Sequence, residues 1–196
     1  MKWEFDDGGR EAAGYKGRAG DCVCRAIAIA TGKPYQEVYD DINRLAKSER
    51  TGKRKKGISS AREGVYKATI RKLMAEYGWE WHPTMQVGSG CTTHLKSSEL
   101  PAGRLVVNVS KHTTAVIDGV CHDTYDPSRD GTRCVYGYYT GPYYGPKPKA
   151  ISKREFFEQV RWSAEDFADG LITVDEFAML CGKSAQELRN TWAVTR

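Results

Sequence analysis

The sequence predicts an α+β domain. Apolar residues recur at helical spacing up to about residue 77, and the period then shortens to that of strands. Asp118-Gly119 lies between two β-rich runs as a two-residue hairpin turn. Helices followed by hairpin-linked strands give helices packed on an antiparallel sheet.

Each element has its own signal. Residues 1–20 carry Gly8, Gly9, Gly14, Gly17 and Gly20 among charges and read as an irregular lead-in. A helix opens at Asp21 or Cys22 and runs to about Thr31, where Gly32 is its stop and Lys33-Pro34 a break. Val38, Ile42 and Leu45 mark a second helix, from about Pro34 to Lys47. Tyr66, Ile70, Leu73, Met74 and Tyr77 repeat the spacing until Gly78 ends a third. A short strand is expected within 79–85 and a buried one, Leu-Val-Val-Asn-Val, at 105–109. Residues 113–117 and 120–125 flank the hairpin turn, and 133–139 make a further strand. The domain is expected over residues 1–140, and the Pro- and Gly-rich stretch 141–151 reads as a linker. Residues 152–196 read as a helical extension, with capping-box spacings at Ser152/Glu155, Thr173/Glu176 and Ser184/Glu187.

Composition excludes whole classes. The chain has 196 residues, 40% of them hydrophobic, with 30 Lys+Arg against 25 Asp+Glu and a formal net charge of +5. That length buries a core without disulfide staples, and the aromatic and charged content is not that of a disordered chain. The longest apolar runs fall far below the ~18 residues of a membrane span, so no membrane partner is expected. The acids in MKWEFDDGGR stand where a signal peptide would be apolar. The expectation is therefore a cytoplasmic chain whose six cysteines are thiols rather than a disulfide framework. The positive charge concentrates in one loop, 47–56, where Lys53, Arg54, Lys55 and Lys56 form its densest run. A solvated loop accounts for it better than a nucleic-acid contact.

Two residues carry the chemistry. Cys22 opens an apolar helix directly after Gly20-Asp21, where unpaired N–H groups and the helix dipole lower a thiol pKa. Cys24 points to another face and belongs in the packing. His112 stands at the start of a strand, after the polar Ser110-Lys111. A cysteine at a helix N-terminus and a histidine on a later sheet are the parts of nucleophilic cysteine catalysis.

The stretches DCVCRAIAIATG, KHTTAVIDG and HDTYDP, in that order, resemble papain-like cysteine peptidases. The bacteriocin-processing C39-like branch resembles them most, as does a group of uncharacterised bacterial and phage proteins of the same fold. The resemblance covers roughly residues 15 to 140. It implies a papain-like fold and a peptidase, isopeptidase or amidase acting on a peptide or protein substrate through an acyl-enzyme. Cys22 is then the nucleophile, His112 the base and Asp126 the residue that orients it. The chain departs from the branch at Lys16, which stands where a Gln helps bind the oxyanion. Pairing from the Asp118-Gly119 turn instead puts Asp123 on His112's face. Asp126 is preferred because Pro127 ends the regular ladder beside it.

Other constellations are weaker. Cys91 and His94 have C-x₂-H spacing, with Cys121, His122 and Cys134 downstream, but the second clean pair of a zinc site is missing. Residues 165–176 imitate a calcium loop but place Phe167 at a ligand position. No metal or cofactor is expected. Residues 173–192 have helix-turn-helix spacing, which a packing hairpin explains as well, and nearby acids repel phosphate. The rival function is an inactive relative of the fold, or a binding protein that uses this hairpin and the basic loop. Trp79, Trp81, Tyr136, Tyr138 and Tyr139 are candidates for an aromatic groove or for core.

Overall fold

In the computed structural model, which describes residues 1–51, 57–86, 88 and 90–145, the chain begins as a strand and not as an irregular lead-in. This strand, β1 (Lys2–Phe5), is short and exposed at every position, so it carries no alternation by which a sequence betrays a strand. Its pairing with a distant strand forms it. Met1–Pro146 makes a compact unit of its own. The basic run Lys53–Lys56, Cys181 and the helical extension 152–196 with its calcium-loop and helix-turn-helix spacings lie outside the described residues.

Three helices follow. The first, α1 (Cys22–Thr31), keeps the predicted bounds, and Gly32 ends it in the left-handed conformation, φ 72°. It is buried on all sides from Val23 to Thr31 because it lies between the sheet and the second helix, α2 (Tyr35–Ala46). Small Ala and β-branched Ile residues let it pack both ways. On α2, Tyr35, Val38, Ile42 and Ala46 form one inward stripe at the predicted helical spacing. The third helix, α3 (Lys67–Glu76), turns Thr69, Ile70, Leu73 and Met74 inward.

The remaining strands are β2 (Glu80–Pro83), β3 (Arg104–Val109), β4 (His112–Ile117), β5 (Val120–Asp123) and β6 (Val135–Thr140). With β1 they form one six-stranded sheet in the order β1-β5-β4-β3-β6-β2. The sheet is mixed, correcting the purely antiparallel expectation: β1 pairs parallel with β5, through Lys2↔Val120 to Phe5↔Asp123. The class is α+β as predicted. The β4–β5 turn is at Asp118-Gly119, with both residues at positive φ and Ile117 opposite Val120. Both faces of the centre are covered. Val106, Ala115 and Tyr139 face the helices, while Leu105, Val107, Val116 and Val135 pack with Leu95 and Leu100 from the 94–103 segment. That explains the near-continuous apolar run of β3. No helix among the described residues is long and apolar enough to cross a membrane.

The register of β3 and β6 slips between Asn108↔Gly137 and Val109↔Val135, leaving Tyr136 as an extra residue in a bulge. At Gly137, φ is 152°, and an added Cβ would sit 2.3 Å from the Trp81 ring. Only glycine leaves room for that indole against the strand.

The domain also ends later than predicted. Residues 141–145 fold back onto it: Tyr144 donates its N–H to Thr31 at 2.6 Å and its hydroxyl to the Tyr77 carbonyl at 2.7 Å. Trp79 donates its indole N–H to the Pro142 carbonyl at 3.0 Å. The prolines and glycines that suggested a linker here shape a turn packed on α1 and α3.

Gly137→Ala is expected to displace Trp81 and cost about 1–3 kcal/mol, the usual penalty for overpacking. A urea melt reads the loss, and near-ultraviolet circular dichroism reads the indole's movement.

Candidate active site

The site forms where α1 begins and β4 begins. Asp21, the residue before α1, offers no side-chain cap to the helix. Its carboxylate is fully buried and instead holds Arg10 at 2.9 Å, the Tyr35 hydroxyl at 2.7 Å, and Arg25 one turn along the same helix. The early N–H groups of α1 therefore keep no cap of their own, and Cys22 occupies that positive end, half-buried.

His112 is the first residue of β4. The turn before it, Ser110-Lys111, is a tight hairpin with Lys111 at φ 57°, and Val109 pairs directly with His112. The turn thus fixes where the imidazole stands at the sheet's end. Its Nε2 lies 2.7 Å from Asp123 Oδ2, with both side chains below a tenth exposed, at 7% and 4%. His112 also hydrogen-bonds the Cys22 thiol, and with Nε2 engaged by Asp123 the nitrogen left for the sulfur is Nδ1. Tyr125 packs against the ring at 5.1 Å between centroids and shields it from water.

Asp126 is not the orienting residue, which corrects the expectation drawn from the resemblance. The strand bends after Asp123, and Asp126 Oδ1 accepts the Ser128 N–H at 2.8 Å, as a turn cap. Continued one step beyond Ala115↔His122, the β4–β5 register sets Asp123 against Thr114, so that His112 and Asp123 project to one face as diagonal neighbours. A residue three places on falls on the other face. Simple register decided the matter.

Charge organises the pair. Burial pushes the Cys22 thiol up, but the His112 hydrogen bond and charge, the Thr113 backbone N–H and the Arg25 charge together carry it below its ordinary value of 9.0. Burial pulls His112 down, and the hydrogen bond and charge of Asp123, with those of Cys22, outweigh it and push His112 up to about 9. Both shifts favour the thiolate–imidazolium form of the pair over the neutral one. Burial raises Asp123, and His112 more than reverses this, so Asp123 stays ionised.

Sequence reasoning missed a buried ion network behind the pair. Arg25, 8% exposed, reaches back to Asp21 and forward to Asp123, where Nη2 lies 3.3 Å from Oδ1. The chain Arg10–Asp21–Arg25–Asp123–His112 links the helix start to the imidazole. Its signal was present: a lone Arg in CVCRAIAIAT must pair once the helix is buried. The neglected β1 also contributes. Trp3 donates its indole N–H, and Asp6 its backbone N–H, to the Asp123 carbonyl at 3.1 and 3.0 Å.

The other candidates fall elsewhere. Cys91 and Cys134 form a disulfide, which overturns the expectation of six free thiols and takes Cys91 away from His94. His94 pairs with Glu99 at 3.1 Å, and His122 faces Asp6 at 3.6 Å. Cys24 is buried against the Tyr35 carbonyl, and Cys121, expected as a spare thiol, is buried beside Thr114 and pushed up to about 12 by burial. Lys16 is exposed, its carbonyl accepts Arg62 at 3.1 Å, and it does not line the cleft.

Cys22 and His112 open onto a cleft of about 1350 Å³. Trp81, Tyr136 and Tyr139 line it, whereas Trp79 is core and Tyr138 stacks on His82 away from it. The bulge at Tyr136 explains how two tyrosines of opposite strand parity reach one cleft. Comparison with family models, curated proteins and solved structures finds no significant match to this chain.

Iodoacetamide alkylation of Cys22, followed by mass spectrometry across pH, is expected to show a midpoint below 9.0. Asp123→Asn should move that midpoint upward, because the imidazole loses the partner that holds its proton, while Asp126→Asn leaves it in place. Stability has its own sign. A raised His112 value contributes stability in full below its ordinary 6.5 and loses it as pH rises through about 9. The cost of His112→Gln, measured by urea unfolding, should be largest below pH 6.5 and narrow above 9.

Proposed function

We propose that this chain is a papain-like cysteine hydrolase that cleaves a peptide, isopeptide or other amide bond through an acyl-enzyme. The observation that carries the reading is the buried Cys22–His112–Asp123 relay at the head of an open cleft. A thiolate held at a helix start by an imidazolium attacks acyl carbon, and packing alone does not call for that pair beside a cleft.

The steps follow from the geometry. The Cys22 thiolate adds to the carbonyl carbon, and the oxyanion forms beside the start of α1. The Cys22 N–H at that helix start is the donor assigned to it, since the Gly20 N–H already donates to the Arg62 carbonyl at 2.7 Å. Protonated His112 gives its Nδ1 proton to the leaving amine, and the C–N bond breaks to leave a thioester. The now neutral imidazole takes a proton from water, which attacks the thioester and restores the thiolate–imidazolium pair. Asp123 holds Nε2–H throughout and so fixes the tautomer. Arg25 positions Asp123 from behind.

The order of Cys and His along the chain and the helix-then-strand placement support the papain-like assignment. Asp123 in place of Asp126, and a site without a Gln at position 16, set it apart from the C39-like branch.

The test is hydrolysis of a peptide or casein substrate library by the full chain. Cys22→Ala and His112→Ala are expected to reduce turnover at least about 10³-fold. Asp123→Asn should lower it about 10²–10⁴-fold and shift the acid limb of the pH profile. A thioester at Cys22, trapped by acid quench and seen by mass, marks the intermediate. Turnover unchanged in Cys22→Ala would end the proposal.

A further inference from the structure

The cleft carries more information than its nucleophile. Its wall opposite the β3–β4 turn is the first turn and a half of α3, where Lys67, Ile70 and Arg71 share one stripe at i, i+3, i+4. Ile70 is buried in the core, which turns the two flanking cations toward the cleft. Lys67 Nζ stands 5.9 Å from the centre of the Tyr136 ring, a loose approach that leaves its charge for another group. Arg71 lies against the Tyr139 hydroxyl. Among the described residues neither cation makes an ion pair, although other exposed cations of this chain do, such as Lys33 with Glu37 and Arg44 with Glu76. On the far side Lys111 lines the cleft next to His112. Among the described residues the acid lining it is Glu63, against Lys67, Arg71 and Lys111. Tyr136 and Trp81 supply a flat apolar floor between them, on which the stem of a Glu or Asp side chain can lie.

We infer that the cleft selects acidic peptide segments, seating a Glu or Asp side chain of the substrate between Lys67 and Arg71 over Tyr136 while the scissile carbonyl lies at Cys22. This rests on the hydrolase reading for the scissile bond, but the recognition is a binding event that needs no turnover. The other polymer that suits cations and aromatics is single-stranded nucleic acid. It is disfavoured because the cleft's reactive group is a thiolate suited to acyl carbon.

The experiment uses the full chain carrying Cys22→Ala, so that ligand is bound and not consumed. Fluorescence anisotropy compares a labelled Glu-rich peptide, its Gln twin of equal length, and a labelled oligothymidylate. The Glu peptide should bind about tenfold or more tighter than its twin, the gain of one or two charge-assisted hydrogen bonds. Raising salt should weaken it. In the Lys67→Gln/Arg71→Gln variant that preference should vanish. Both side chains are exposed, so circular dichroism and the melting temperature of the variant should match the parent. Arg71→Lys should restore part of the preference, as a charge without the fork. Equal affinity for the two peptides, or a preference that survives the double substitution, overturns the inference. Tighter binding of the oligothymidylate overturns it in favour of nucleic acid. Iodoacetamide labelling in the Cys22 protein separates the two readings: a pH profile unchanged by Lys67→Gln/Arg71→Gln leaves the relay standing even where acidic selection fails.

Discussion

Arg25 is the charge around which this domain is organised. It lies inside a helix buried on every side, where an unpaired guanidinium is untenable, so two carboxylates must come to it. Asp21 comes from the residue before the helix and Asp123 from the end of a strand nearly a hundred residues on. Removing one partner from such a buried set typically costs about 3–5 kcal/mol, because the other charge stays behind. The helix cannot slide or rotate against the sheet without breaking that pairing. Cys22, three residues before Arg25, is thereby held at a fixed place relative to His112.

The same constraint links stability to chemistry. Asp123 is shared between Arg25, which ties it to the helix, and His112, which it charges. His112 keeps Asp123 ionised, Asp123 raises His112, and His112 lowers Cys22. Each link is a hydrogen bond or ion pair in a site shielded from water, where such effects are strongest. The edge strand β1 belongs to this chain as well, since it grips the Asp123 backbone from outside. Around the relay, the bulge at Tyr136 and the bare Gly137 shape the aromatic floor of the cleft. The disulfide of Cys91 and Cys134 ties the segment beyond Gly88 to the residue before β6.

Much of the fold was legible because its signals are local. Gly32 and Gly78 mark helix ends, and Asp118-Gly119 marks a hairpin, through backbone conformations that only a few residues adopt. The helical stripes of α2 and α3 repeat within a single element. What was not legible depended on distant partners. β1 has no pattern of its own. The turn at 141–145 looks like a linker until Trp79, Tyr77 and Thr31 supply its hydrogen bonds. Cys91 and Cys134 are 43 residues apart, and nothing nearby in sequence announces their bond.

The candidate site divides in the same way. The sequence by itself picked out the thiol and the imidazole: Cys22 by its place at a helix start, and His112 by its place after a polar turn at a strand start. Both are properties of a residue and its immediate neighbours. Only the tertiary structure decided the third member. Asp123 and Asp126 are alike in kind and three residues apart, and the choice between them turns on which face of a twisted strand each presents and where that strand bends. The bend comes after Asp123 because β1 and Arg25 hold it in the sheet, and neither tie can be read from the residues around it.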